Sequence, residues 1–313
     1  MNAPTLSVVI CTHNPRADYF GRTLAALAAQ SLPREEWELL VIDNCSAPPV
    51  ADRFDLSWHP KMRVVREEKL GLTPARLRGI REAAGDLLVF VDDDNVLDPD
   101  YLEVAVRIAG ERPYLGSWSG QCRPGFEEPP PDWTRRYWGN LVIREFDGDS
   151  WSNQPRLPDT MPCGAGLCVR RAVTRHYLHL HESGARSFQY DRTGDSLLSG
   201  GDNDLAACAC SVGFGVGLIS ALKLTHLIPP ERLTVDYLCR LAEGTYFTAT
   251  LLDAQWDQPI AARGVAGRLM DTLRVWRLSK PHRQILRAAY RGRERATRLL
   301  ASPVAQGGPR DAS

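Results

Sequence analysis

Three consecutive carboxylates, Asp92-Asp93-Asp94, stand where an apolar run from Leu87 to Val91 stops. A run of this length reads as a buried strand, so the carboxylates would emerge together at its carboxyl end. Like charges this close repel one another, and a fold accommodates them when a cation sits among them. Hard divalent ions are the natural partners of such an oxygen cluster. The ordinary alternative is a solvated acidic turn.

Two other strand signals end the same way. Leu6 to Cys11 leads into Thr12-His13-Asn14, and Trp37 to Ile42 leads into Asp43-Asn44. In an open parallel sheet, ligands bind in the crevice beyond the carboxyl ends of the strands, and one crevice would gather all three clusters. Its chemistry suits a nucleotide: Asp43 accepts from a base imide or a ribose hydroxyl, while Asn14 and the Thr12 backbone approach the ring. Singly, each of these residues also reads as an Asx-turn that closes a strand. No Gly-rich phosphate loop lies between Cys11 and Pro15, and the P-loop lysine pattern is absent. A diphosphate would instead be neutralised by a cation on Asp92 and Asp94, helped by Lys69 and Arg76. Those two bases alone read equally as solvated charges.

Asp202 opens a predicted helix, where the partial positive charge of the N-terminus keeps a carboxylate ionised and ready to accept a proton. Capping the helix is the structural use of the same residue. His226 lies between Thr225 and the Pro229-Pro230 turn, on a loop near the sheet edge or in the core. Trp133, Trp138 and Trp151 offer faces that stack on sugar rings, although packing is the expected use of at least two of them.

The elements that must position these groups alternate through the first hundred residues. Leu6 to Cys11, Trp37 to Ile42, Met62 to Val65 and Leu87 to Val91 read as strands. Between them lie a helix with Leu24, Leu27 and Ala28 on one face and a second that Thr73-Pro74 begins and Gly85 ends. A third opens at Asp98-Pro99. This rhythm predicts an α/β fold with a mostly parallel, doubly wound sheet flanked by helices. From Arg123 to Pro162 periodicity fades, and Pro129-Pro130-Pro131 marks loops and short strands. Regularity returns with a strand over Cys163 to Val169, a helix from Asp202, a strand over Val216 to Leu222 and helices after Pro230. The apolar stretch from Leu205 to Leu222 reads as a buried helix, a Gly turn and a buried strand, not a membrane span. The expected organisation is a single domain over residues 1–260, with a nucleotide-binding half (1–112) and an acceptor-binding half (113–260). A basic helical extension (261–305) and a disordered tail (306–313) complete it.

The 313 residues carry 38 Lys and Arg against 38 Asp and Glu, so no global charge points to nucleic acid. The balance hides a local excess: between Arg263 and Arg298 there are eleven Lys or Arg and two Asp or Glu. With Leu269, Leu273, Trp276 and Leu278 interspersed, this segment reads as a solvated helical face or as a peripheral contact with an anionic membrane. Eight cysteines contain no CxxC pair, which argues against a zinc ribbon or redox dithiol. The start, Met1-Asn2-Ala3-Pro4, lacks the basic and apolar regions of a secretory signal, so a cytoplasmic location with reduced thiols is expected.

In order and spacing, Leu6-Ser7-Val8-Val9-Ile10-Cys11-Thr12-His13-Asn14, Val41-Ile42-Asp43-Asn44, Gly71-Leu72-Thr73-Pro74-Ala75-Arg76 and Val89-Phe90-Val91-Asp92-Asp93-Asp94 resemble the nucleotide-binding half of family 2 glycosyltransferases with the GT-A fold. The resemblance extends through Pro162-Cys163-Gly164-Ala165-Gly166, similar to the acceptor-side strand, and Gly200-Gly201-Asp202-Asn203-Asp204-Leu205, similar to the catalytic Glu-Asp region. Thr225-His226-Leu227-Ile228-Pro229-Pro230 completes it. It implies that Asp43 meets the base, Asp92 the ribose or the metal shell, and Asp94 the metal directly, with Asp93 beside them. His226 becomes a second metal ligand or a diphosphate contact, and Asp202 the general base. Gly164, Ala165 and Trp138 fall on the acceptor or sugar side. Two positions depart from the pattern. Leu77 stands where many relatives have Asn, and Gly201 replaces the Glu of the Glu-Asp pair, which leaves Asp204 open as the base.

The implied activity is an inverting sugar transfer from a nucleoside diphosphate sugar to a hydroxyl of a saccharide or lipid-linked acceptor, with Mn2+ or Mg2+ as cofactor. UDP is the favoured nucleotide because a base-contacting Asp suits an imide, a feature dTDP shares, and GDP stays open. One rival is a phosphohydrolase with Asp92 as nucleophile and Mg2+ on Asp94 and Asp202. Chain order speaks against it, because such a nucleophile follows the first strand of its domain. The other is a protein that binds nucleotide sugars without transferring them.

Overall fold

The computed structural model describes residues 4–186, 188, 190–192, 197–260, 270 and 275–302. Four parallel strands form the donor-side half of the sheet: β1 (Leu6–Thr12), β2 (Trp37–Asn44), β3 (Met62–Glu67) and β4 (Leu87–Val91). Helix α1 (Ala17–Ala28) joins β1 to β2, and α2 (Leu72–Glu82) joins β3 to β4. After β4 come β5 (Asn95–Leu97), α3 (Tyr101–Glu111) and the long β6 (Leu115–Phe126). Then follow β7 (Ser150–Ser152), β8 (Leu167–Arg170), α4 (Arg171–Glu182), α5 (Gly201–Ser211) and β9 (Gly215–Ile228). Two long helices, α6 (Val235–Gln255) and α7 (Lys280–Ala301), end the described chain.

All nine strands join one sheet in the order β3-β2-β1-β4-β8-β6-β9-β5, with β7 also on β9. Its parallel members are β1 to β4, β6 and β9, and β8 runs backwards between β4 and β6. Alternation along β1 explains the layering: Leu6, Val8 and Ile10 face a core shared with Phe20, Leu24 and Leu27 of α1, whereas Val9 faces Ala75 and Ile80 of α2. Helices α2, α4 and α5 cover that second face, and α1 and α3 the first. This is the doubly wound arrangement that the strand and helix rhythm predicts. The stretch from Leu205 to Leu222 is the buried part of α5, a turn at Gly213 (φ 84°) and the first half of β9. No helix among the described residues is long and apolar enough to cross a membrane.

Several local expectations are corrected. Thr73 and Pro74 lie inside α2, which starts from Gly71 at φ 136°, a conformation that L side chains rarely adopt. Gly85 does not end that helix; Ala83 does so in extended conformation. Gly85 is glycine because β1 passes beside it: a methyl there would fall 2.6 Å from the Leu6 carbonyl carbon. The strand expected over Cys163 to Val169 is shorter, since residues up to Gly166 (φ 67°) form a turn. Conversely, β9 runs on past Leu222 to Ile228, carrying His226 within the sheet. Residues 261–269, 271–274 and the 306–313 tail lie outside the described residues, and with them Leu269 and Leu273.

Candidate active site

The carboxyl ends of β1, β2 and β4, the turn before β8 and the first turn of α5 open onto one cleft of about 330 Å³. Of the residues singled out in the sequence, Thr12, Arg76, Asp92, Asp93, Asp94, Gly164, Ala165, Asp202 and His226 line it. Their meeting follows from strand polarity. Parallel β1 and β4 deliver their ends side by side, and reversed β8 brings its beginning to the same edge.

The three aspartates are held differently. Asp93 accepts from the Thr12 hydroxyl, and burial together with the neighbouring Asp94 pushes its pKa up to about 7. Burial and Asp94 also raise Asp92. Burial acts on Asp94 too, but His226 and Arg232 outweigh it and hold this carboxyl well below the usual range. Its neighbours are set by β5, which pairs Asn95 with His226 of β9 and so places the Asp94 Oδ2 3.3 Å from His226 Nε2. His226 Nδ1 lies 2.9 Å from the Leu141 carbonyl and is assigned as its donor, which leaves Nε2 with its lone pair. Arg232 donates to that nitrogen at 3.0 Å and to Asp94 Oδ2 at 2.9 Å.

An imidazole nitrogen beside a carboxylate is a donor set for a divalent cation, and the Arg232 guanidinium already lies against both. Among the described residues no group of three His, Cys, Asp or Glu converges on one point. Asp94 and His226 would therefore supply two ligands to a divalent cation held here.

Across the cleft, Asp202 sits in the first turn of α5. Its Oδ2 accepts from the Gly164 amide at 2.6 Å and its Oδ1 from the Asn203 amide at 2.9 Å. Burial raises its pKa and Arg76 opposes the rise. Behind it Asp191, 2% exposed, accepts from Arg76 at 2.6 Å, from Thr73 at 2.8 Å and from the Gly201 amide at 3.0 Å. A methyl at position 201 would fall 2.1 Å from Asp191 Oδ2, so no side chain fits there.

Seven of the singled-out residues do not line the cleft. Asp43, 1% exposed, accepts from the Ser46 amide at 3.0 Å, the Val50 amide at 3.1 Å and Arg66 at 3.0 Å. Burial works to raise its pKa, yet these donors hold it below the usual range. Asn14 (φ 49°) accepts from the Ala47 amide at 2.8 Å and pins the same loop. Lys69 is exposed outside the cleft, where its carbonyl accepts from Asn44. Asp204, in the first turn of α5, is fully buried away from the cleft and bound by Arg186 at 2.8 Å and Trp256 at 3.0 Å. Trp138 packs on Phe126 and Trp133 on Tyr137, whereas Trp151 is exposed and stacks on Tyr114. Packing is therefore the use of two of the three tryptophans.

His13 and Asn44, members of the strand-end clusters to which no role was given, line the cleft as well, and so do Asp191, Arg192 and Arg232, which sequence reasoning missed. Asn44 was visible beside Asp43, and its Oδ1 accepts from the Gly71 amide at 2.8 Å, fixing the start of α2. Arg232 lies two residues past the Pro229-Pro230 turn. Asp191 carried no local signal, because its partners are 118, 115 and 10 residues away.

A family model described as Glycosyl transferase family 2 matches residues 7–175, more than half of the chain. The chain belongs to glycosyl transferase family 2. Among curated relatives, validoxylamine A glucosyltransferase of Streptomyces hygroscopicus subsp. jinggangensis is 37% identical over 174 residues, covering 50% of this chain and 39% of that protein. The chain likewise spans only 32% of another relative's length. Two solved structures share the fold. S. aureus TarS 1-349 in complex with UDP-GlcNAc has a TM-score of 0.53 at 15% identity, covering 96% of this chain and 77% of that one. The mannosyltransferase PcManGT from Pyrobaculum calidifontis, in complex with GDP-Man and Mn2+, has a TM-score of 0.53 at 20% identity, covering 98% and 77%. The fold is thus the GT-A type, and family membership displaces the phosphohydrolase alternative.

Proposed function

We propose that this family 2 protein transfers a sugar, with inversion, from a nucleoside diphosphate sugar to a hydroxyl of a saccharide or lipid-linked acceptor. The observation that carries this is the placement of Asp202 across one cleft from Asp92-Asp93-Asp94, with the cationic Arg76, Arg192 and Arg232 also lining it. Asp202 removes the acceptor proton as the hydroxyl attacks the anomeric carbon, and the nucleoside diphosphate leaves from the opposite face. Held by two backbone amides, its carboxylate is oriented before the acceptor arrives. Arg76, Arg192 and Arg232 place positive charge where the diphosphate develops its own. Asp94 and His226 would hold Mn2+ or Mg2+, which supplies Lewis-acid stabilisation of the leaving diphosphate.

UDP is the nucleotide we favour. Asp43 serves it at one remove, by shaping the Ser46 to Val50 loop beside the cleft. Glucosyl transfer by one relative and the UDP-GlcNAc bound to a fold neighbour support a UDP-linked hexose, whereas the GDP-Man neighbour keeps GDP in the test panel. Eight free thiols suit a reducing, cytoplasmic setting. The basic α7 region, with Trp276 75% exposed, suits docking at an anionic membrane face.

The deciding experiment is a binding and turnover panel of UDP-glucose, UDP-N-acetylglucosamine and GDP-mannose, each with and without Mn2+, on wild type and Asp202→Asn. Metal-dependent binding of a UDP-sugar and release of UDP by wild type alone are expected. Binding of none of the three, or full turnover by Asp202→Asn, would sink the assignment.

A further inference from the structure

Asp191 belongs to none of the sequence clusters, yet three donors meet its buried carboxylate at the edge of the cleft. A buried charge of this kind persists only where donors compensate it fully, and those donors come from two elements, α2 and α5. Helix α5 has no capping side chain of its own, since Gly200 stands at its N-cap. Asp191 supplies the missing acceptor from outside the helix by binding the Gly201 amide. The next residue along that turn is Asp202.

Resting on the assignment of Asp202 as the base, we propose that Asp191 is its positioning residue: one carboxylate ties Arg76 of α2 to the first turn of α5 and so fixes where Asp202 stands. The fit is reciprocal. Position 201 has no room for a side chain because the Asp191 carboxylate fills the space a side chain would enter. A carboxylate carried by residue 201 itself, with Asp191 removed, would enter the same space between Thr73 and Arg76.

Relocating the carboxylate tests this. Release of UDP from UDP-N-acetylglucosamine, UDP affinity by calorimetry and Tm are measured for wild type, Asp191→Ala, the double variant Asp191→Ala with Gly201→Glu, Asp191→Asn and Asp202→Asn. Asp191→Ala should lower kcat by roughly 100-fold, the scale of a misplaced catalytic group, and by far more than it changes UDP affinity through the freed Arg76. The double variant should recover most of that loss, a non-additivity expected only of groups sharing one site. Asp191→Asn keeps the size of the side chain and removes its charge. Asp202 faces Arg76 of α2, Asp191, the Cys163 thiol and the Gly164 and Asn203 amides. Deleting the negative charge leaves Arg76 less opposed, so the acidic limb of kcat/KM should move to lower pH.

Wild-type turnover in Asp191→Ala, or a double variant with wild-type Tm but no recovery, overturns the assignment of Asp191. If Asp191→Ala does not fold, an unmoved limb in Asp191→Asn overturns it instead. Turnover retained by Asp202→Asn removes the base and this role together, whereas its loss alongside a failed rescue removes only the role of Asp191.

Discussion

As the proposed base, Asp202 would act only when ionised, and burial lifts its pKa above the usual carboxylate value. Activity should therefore fall as pH drops through a pKa higher than the roughly 3.9 of a free Asp, and recover fully above it. A pH profile of kcat/KM with the acidic limb at or below the ordinary value would contradict this environment. Asp204, two residues on, illustrates the opposite use of the same side chain. It is fully buried against Arg186 and Trp256, so Arg186→Ala should leave an uncompensated buried charge and cost about 3–5 kcal/mol in urea unfolding. Replacing Arg186 and Asp204 together by apolar residues of similar size should cost less than Arg186→Ala alone.

At the scale of elements, β6 and β9 carry the largest irregularity of the sheet, a register shift between Ser119 and Gln121. Gly120 sits within it, and a methyl there would fall 2.0 Å from the Leu222 carbonyl oxygen. Gly120→Val should lower stability by about 1–3 kcal/mol through overpacking, read as a fall in Tm. Because β9 also carries His226, metal affinity should fall with it; unchanged Tm would show that the sheet yields there easily. The same region marks the limit of sequence reading. The four parallel strands, their order in the chain and the Asp cluster at the end of β4 were legible from apolar runs that stop at polar residues. The three-residue β5 was not, because so short an element has no period to detect, and with it went the pairing that sets Asp94 beside His226. Asp43 looked like a base contact from its strand-end position; that its oxygens hold the following loop depends on backbone amides that no side-chain pattern announces. Asp191 was invisible for a related reason, since its role exists only where α2 and α5 meet.

Over the whole molecule, α6 and α7 form the outermost layer. Leu238, Leu241 and Ala242 of α6 share a core with Ile285 and Ala289 of α7, and Leu141 and Ile228 tie that core to the rest. The two helices touch backbone to backbone, since a methyl at Gly292 would fall 2.0 Å from the Glu243 carbonyl oxygen. Gly292→Leu should force them apart and expose this core, detected as faster limited proteolysis within α7 while donor binding in the cleft is kept. Loss of donor binding in a folded Gly292→Leu protein would instead show that the outer layer supports the site.

The reversed strand β8 has a consequence for how such a molecule can diverge. Since β6 ends and β8 begins toward the same edge, the chain from Glu127 to Gly166 connects them there, laying β7 against β9 on its way, and Val142 within it reaches the cleft itself. That span can lengthen, shorten or change composition without disturbing the register of β1, β2 and β4. One side of the crevice can thus be rebuilt by loop replacement while the strand ends on the other side keep their places.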